Sequence, residues 1–316
     1  MFQELIRDIG YVGHVELMTP KPQESLDFFR NLFGMEVVGQ IGQSVYLRAW
    51  GEHQLYSLKL TESKEAGLGH LGLRAWSPEA AENRAKAISE SGYGIGWTEG
   101  EFGHGKAYQF LTPDGHKAEI YYDSEKYVPP EQQKPKFKNQ PQKIGSRGIP
   151  VKRLDHVNLF TSNVDADTDF WQRQIGFRLS ECAVTEEGRK TTSWLHVTNK
   201  SYDLALSQDK SGAKGRFHHL AYAVETGDMV HRAADLFLDH GIYIETSPSK
   251  HVAGLTVFVY VYEPGGNRVE VCSGGFMIFD PDWETVVWTP QERTGLAWGN
   301  PLAPAFNTYG TPPVSK

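Results

Sequence analysis

The sequence predicts an α+β fold built from four βαβββ units, two to a domain. Three observations carry that prediction. "GHVELMTPKPQESLDFFRNLFGMEVVG" from Gly13 runs parallel to "DHVNLFTSNVDADTDFWQRQIGFRLSE" from Asp155, so the two halves of the chain are copies. "GHLGLRAWSPEAAENRAKAISESGY" from Gly69 likewise matches "HHLAYAVETGDMVHRAADLFLDHGI" from His218, so each half is itself double. "YQFLTPDGHKAEIYY" from Tyr108 matches "FVYVYEPGGNRVEVC" from Phe258, two strands joined at "PDG" and "PGG" hairpin turns.

The elements follow in order within each unit. An apolar strand leads through a polar turn into an amphipathic helix, which in units one and three ends in aromatic residues, with a Gly before the next strand. Two or three strands then complete the unit, "SVYLRAW" and "HQLYSLKL" among them in the first. The units fall at residues 12–62, 68–123, 153–208 and 217–273. "VPPEQQKPKFKNQPQKIGSRGIP" separates the halves; rich in Pro, Gln and Lys and without apolar periodicity, it reads as a connector. The expected domains are 1–142 and 143–273. Residues 274–316 are expected to form an irregular tail packed on the second domain, because their Trp, Phe and Leu content is too high for a disordered end.

Composition limits the partners. The chain has 316 residues, 39% hydrophobic and 22% charged, as expected of a globular protein of two domains. Its formal charge of −7, with no basic stripe, argues against nucleic acid. No apolar run is long enough to span a membrane, and the N-terminal "MFQELIRDIG" has no apolar signal core. Cys182 and Cys272 form no clustered pattern, so neither a disulfide framework nor a thiolate metal site is expected. These features together predict a cytoplasmic protein.

"RFHHLAYAV", residues 216–224, places two histidines at the start of an apolar strand. Strict alternation predicts that only one of His218 and His219 faces what the strand covers, with the other on the opposite face or at the sheet end. His219 lies in the first strand of unit four as His156 lies in the first strand of unit three, and Glu270 lies in the last strand of unit four. Two neutral imidazoles and a carboxylate on adjacent strands are a ligand set for Fe(II) or Mn(II), and less specifically for Zn(II) or Ni(II).

These paired units, with "LDHVNL", "HHLAY" and "PGGNRVEV", resemble the vicinal oxygen chelate superfamily, the glyoxalase/bleomycin resistance/dioxygenase-like fold. The two-domain size resembles its type I extradiol catechol dioxygenases, of the catechol 2,3-dioxygenase and homoprotocatechuate 2,3-dioxygenase kind. The resemblance implies a C-terminal catalytic domain holding Fe(II), alternatively Mn(II), on His156, His219 and Glu270, and an N-terminal domain without catalytic metal. It implies O2 as co-substrate, ring cleavage outside the two hydroxyls of a catechol, a role in aromatic hydrocarbon catabolism, and a homotetramer. By the same resemblance His251 and Tyr260 contact the catechol oxygens, and Asn158 and Trp194 border the substrate. His218, beside the ligand His219, and Arg293 of the tail are also expected among the substrate-binding residues. The fold also serves glyoxalase-like isomerases, thiol transferases and metal-free small-molecule binders, and these remain alternatives.

The chain departs from the family in three places. Tyr202, in "KSYDLAL", stands where the family carries an acid–base histidine. Thr246 stands where homoprotocatechuate enzymes place an arginine for the substrate carboxylate, so a neutral catechol is expected. The first half retains His14, His70 and Glu119 at repeat-equivalent positions, but Gln109 replaces the tyrosine and Gly100 the histidine of the active half. A buried His–Glu hydrogen bond inherited from the duplication is the expected use of those residues.

Overall fold

A computed structural model describes residues 6–292, 295–298 and 301–314. Unit one comprises β1 (Ile9–Thr19), α1 (Pro22–Asp27), β2 (Glu36–Ile41), β3 (Ser44–Arg48) and β4 (Leu58–Glu62). Unit two comprises β5 (Gly67–Ala75), α2 (Pro78–Glu90), β6 (Gly94–Thr98), β7 (Ala107–Leu111) and β8 (Lys117–Tyr121). In the second half, β9 (Arg153–Thr161), α3 (Val164–Phe170), β10 (Arg178–Val184), β11 (Lys190–His196) and β12 (Leu204–Gln208) form unit three. Unit four follows with β13 (Phe217–Ala223), α4 (Gly227–Asp239), β14 (Ile244–Lys250), β15 (Thr256–Tyr262) and β16 (Arg268–Gly274). A short strand, β17 (Val286–Trp288), adds the tail to the sheet edge beside β10.

Local chemistry explains the helix boundaries. Ser77 accepts a hydrogen bond from the Ala80 amide, with Pro78 opening α2 where no intrahelical donor is needed. The Asn163 side chain does the same for α3 through Ala166. Helices α1 and α3 each widen into a π-helical turn, Phe28–Leu32 and Trp171–Ile175, and this turn carries the aromatic residues that end the helix pattern. Phe28, Phe29, Phe170 and Trp171 are all buried there.

The strand order within each unit is first, last, third, second, with first and last parallel. Two units join antiparallel through their first strands, β1 with β5 and β9 with β13. Each half is thus one sheet whose central strands are β4-β1-β5-β8 or β12-β9-β13-β16. The middle strands carry the apolar residues, and one continuous core runs from Val15 and Phe33 of the first half to Phe237 and Val271 of the second.

Candidate active site

The centre of the second sheet positions the predicted ligands. Ala221 on β13 pairs with His156 on β9 at one side and with Glu270 on β16 at the other, and His219 lies two residues before it. A small residue at 221 therefore sits between two large ones, and the three side chains meet over it. His156 Nε2 is 3.3 Å from His219 Nε2, and both are 3.2 Å from Glu270 Oε2. All three residues are at most 2% exposed.

Hydrogen bonds on the far side of each ring set its tautomer. His156 Nδ1–H donates to Asp155 Oδ2 at 2.9 Å, which leaves Nε2 as a lone pair. Asp155 is held by Arg153 and by Lys200. For His219 the argument passes through its neighbour. An Arg268 N–H reaches His218 Nδ1 at 3.2 Å, and because guanidinium only donates, that nitrogen is an acceptor. His219 Nδ1, 2.6 Å from the same nitrogen, must then be the donor, and His219 Nε2 is also a lone pair. Arg268 is itself fixed by a buried bidentate pair with Glu245, one contact being 2.8 Å. When both rings are neutral, two lone pairs thus point at a carboxylate.

Glu270 Oε1, meanwhile, is buried with no hydrogen-bond partner. That donor set suits a divalent cation, which would satisfy all three groups at once. Without an ion, burial would depress His156, but the charge of Glu270 and the bond to Asp155 overcome it and lift the imidazole to about 9. Burial outweighs Glu270 at His219 and takes it down to about 4. A bound cation would displace the proton from His156.

A cavity of about 290 Å³ opens over His156 and His219, with Glu270 buried behind them. Asn158, Trp194, Tyr202, His251 and Tyr260 all line it, together with Phe306 of the tail. Asn158 Oδ1 is buried without a partner. Tyr202 lies 4.5 Å ring to ring from His156. Burial first, then the charge of Glu270, pushes its phenol well above the usual tyrosine range. His251 Nδ1–H donates to the Gly295 carbonyl at 3.0 Å, so its Nε2 accepts the Tyr260 hydroxyl proton at 3.1 Å. His251 is neutral, since burial lowers its pKa, and the Tyr260 oxygen keeps its acceptor capacity. A larger cavity, about 710 Å³, runs past Arg153 and Lys200 at the junction of the halves and does not touch the ligands.

The structure corrects two expectations around the histidine pair. Neither histidine reaches solvent, because a register shift between Phe217 and His219 interrupts the alternation of β13. His218 does not line the cavity; its ring is sandwiched between Phe160 and Phe306, behind His219. Arg293 lies outside the described residues. Thr246 is buried on β14 beside Tyr260 and does not line the cavity. Sequence reasoning missed Arg268, Glu245 and Phe306. The tail's aromatic content was the available signal for Phe306, whereas nothing local marks two charges on separate strands as a buried pair.

Residues 11–120 and 153–271 match the Glyoxalase/Bleomycin resistance protein/Dioxygenase superfamily. The chain belongs to this superfamily. It is 45% identical over its whole length to a metapyrocatechase of Geobacillus stearothermophilus, covering 97% of that protein. It is 37% identical, over 93% of its length and 95% of the relative's, to a manganese-dependent 2,3-dihydroxybiphenyl 1,2-dioxygenase of Geobacillus genomosp. 3. Within the superfamily it is a type I extradiol dioxygenase. The homoprotocatechuate 2,3-dioxygenase of Arthrobacter globiformis shares its fold with a TM-score of 0.87 at 23% identity, over 97% of this chain and 93% of the other. As in such dioxygenases, two sheet domains build the molecule. Among the described residues no helix is long and apolar enough to cross a membrane.

Proposed function

We propose that the chain is an extradiol dioxygenase that opens a neutral catechol beside its two hydroxyls, inserting both atoms of O2 to give a 2-hydroxymuconic semialdehyde type of product. The observation that carries this reading is the meeting of two imidazoles and the Glu270 carboxylate, with His156 and His219 facing a cavity bordered by Tyr202, His251 and Tyr260. His156, His219 and Glu270 would hold Fe(II), with Mn(II) as the alternative. When bound, the ion would supply Lewis acidity to the catechol oxygens and a path by which electrons of the catechol reach O2.

The chain's own residues orient the substrate and move protons. Trp194 and Phe306 both line the cavity and offer aromatic surface against which a catechol ring would pack. The free Asn158 Oδ1 accepts a hydrogen bond from a substrate hydroxyl, and the Tyr260 oxygen, its proton committed to His251, accepts another. Fixing both hydroxyls converts the encounter with O2 into a reaction between positioned partners. Tyr202 keeps its phenolic proton throughout the neutral range and is the donor to the oxygen that leaves when the O–O bond breaks. Among the described residues lining the cavity Lys210 is the one cation, and it is exposed to solvent, which favours substrates without a carboxylate.

Purified chain loaded separately with Fe(II) and Mn(II) should consume O2 with catechol and 4-methylcatechol and form a yellow ring-fission product. The kcat/KM for 3,4-dihydroxyphenylacetate should be at least tenfold lower. Glu270→Ala should lose both metal and activity. Oxygen uptake without ring opening, or a preference for the acid, would reject the reading.

A further inference from the structure

The first half contains a second convergence of ligand-type side chains. Gly72 on β5 pairs with His14 on β1 and with Glu119 on β8, the same arrangement that Ala221 has with His156 and Glu270. His70 lies two residues before Gly72, as His219 lies before Ala221. A Cβ at Gly72 would fall 2.2 Å from the His14 ring, so only glycine admits this packing. His14 Nε2 and His70 Nε2 are 2.9 Å apart, and they lie 3.6 and 3.5 Å from Glu119 Oε1.

A fourth group joins them that the repeat does not predict. His104 Nε2 lies 3.2 Å from the same Glu119 oxygen. It comes from the loop between β6 and β7, the counterpart of the loop that carries His251, but five residues before Gln109 where His251 stands nine before Tyr260. A fixed offset therefore finds Gly100 in place of the histidine. The far nitrogens are again committed outward. His70 Nδ1–H donates to Glu16 Oε2 at 2.8 Å, with Glu16 held by Lys59 and Thr61. His104 Nδ1–H donates to the Gly105 carbonyl at 2.9 Å. His14 Nδ1 faces the Tyr121 hydroxyl at 3.4 Å.

We propose that His14, His70, His104 and Glu119 bind a second divalent transition-metal ion, which is structural. Glu119 Oε1 and His104 Nε2 are both buried without a hydrogen-bond partner. Even with His14 Nε2–H donating to His70 Nε2, the His104 Nε2 lone pair and Glu119 Oε1 are left facing each other at 3.2 Å. A cation satisfies them all. Three nitrogens and one oxygen suit Zn(II) or Mn(II). Four protein ligands, sealed by Tyr56 over His14 with Tyr46 and Phe102 stacked beyond it, make a closed site rather than one open to substrate. The ion would tie β1, β5 and β8 to the β6–β7 loop. This inference does not depend on the reaction catalysed by the second half.

Metal-to-chain ratios decide it. The full chain is loaded with Zn(II) or Mn(II), passed through a desalting column and assayed by plasma mass spectrometry. The expected ratios are two for wild type, one for Glu270→Ala and one for His104→Ala with Glu119→Gln. Glu270→Ala loaded with Co(II) should show visible bands from an N3O site, and these should disappear when His104→Ala and Glu119→Gln are added. Removing the first-half ion from Glu270→Ala should lower its melting temperature by at least 5 °C. A wild-type ratio of one together with a ratio of zero in Glu270→Ala would overturn the proposal. That measurement needs no substitution in the first half, so misfolding of the first-half variants cannot obscure it. A Co(II) spectrum unchanged by the two added substitutions would overturn it equally.

Discussion

In the proposed reaction, two residues would govern how the second half handles protons. Tyr202 replaces an imidazole, which both accepts and returns a proton near neutrality, with a phenol that only donates there. Its burial against His156 strengthens that bias. Tyr202→Phe should therefore lower kcat at least tenfold, the smaller end of what a positioned acid contributes, with KM little changed. Tyr202→His should remain active; a wild-type kcat in the phenylalanine variant would make the tyrosine mere packing. His218 acts by a different route, because it accepts the Nδ1 proton of His219 and is itself oriented by Arg268 and Glu245. His218→Phe preserves the ring between Phe160 and Phe306 but removes the acceptor. Metal affinity, measured by competition with a chelator, should fall about 10–100-fold, the usual cost of losing a hydrogen bond behind a ligand. A rise in catechol KM at unchanged metal affinity would instead put His218 in contact with substrate.

At the scale of elements, β10 couples pH to the loop that carries His251. Glu181 on this strand accepts the Gly254 amide at 2.7 Å, and Gly254, at φ +73°, lies against the Tyr202 ring. Burial, only partly offset by that hydrogen bond, lifts the Glu181 carboxyl to about 7. The folded chain thus keeps a proton that the unfolded chain loses near 4.5. The stability from this group is complete below that pH and is lost as pH rises through 7. Glu181→Gln keeps an acceptor for Gly254 without the charge. Its advantage in stability over wild type, read from melting at each pH, should be smallest at pH 5 and grow toward pH 8.5, reaching on the order of 2 kcal/mol. An offset independent of pH would show that Glu181 does not titrate in this range. The elements themselves were largely legible: repeated strand–helix patterns with PDG and PGG turns announced the four units, and His156, His219 and Glu270, the proposed ligands, lay at matched places within them. Three features were not. The interruption of alternation at His218 depends on cross-strand pairing, and His104 stands four residues nearer to Gln109 than His251 does to Tyr260, on a loop longer than its counterpart. The Arg268–Glu245 pair joins β16 to β14 across the intervening β15, a juxtaposition no local pattern reports.

At the scale of the molecule, the two halves grip each other through equivalent hairpins. The turn of unit two offers Asp114 to the Ser162 and Gly215 amides and His116 Nε2–H to the Arg216 carbonyl, just ahead of the His218–His219 pair. The turn of unit four offers Glu263 to the Ser25 hydroxyl, while Asn267 donates to the Met18 carbonyl. Between these clasps Phe237 of α4 packs on Phe28 and Phe33, with ring centroids 6.2 and 5.9 Å apart, and is fully buried. Tyr222 meets Ser57 across the same junction at 3.0 Å. A core shared in this way leaves neither half a separate apolar interior, so the chain should unfold in one calorimetric transition with matching calorimetric and van't Hoff enthalpies. Phe237→Ala opens a cavity in the shared region and should cost about 3–5 kcal/mol. At about 2 °C per kcal/mol for a chain of this size, the whole transition should move down by roughly 6–10 °C without splitting. Two resolved transitions, with only the second-half one displaced, would mean that the halves are independent folding units joined by the connector.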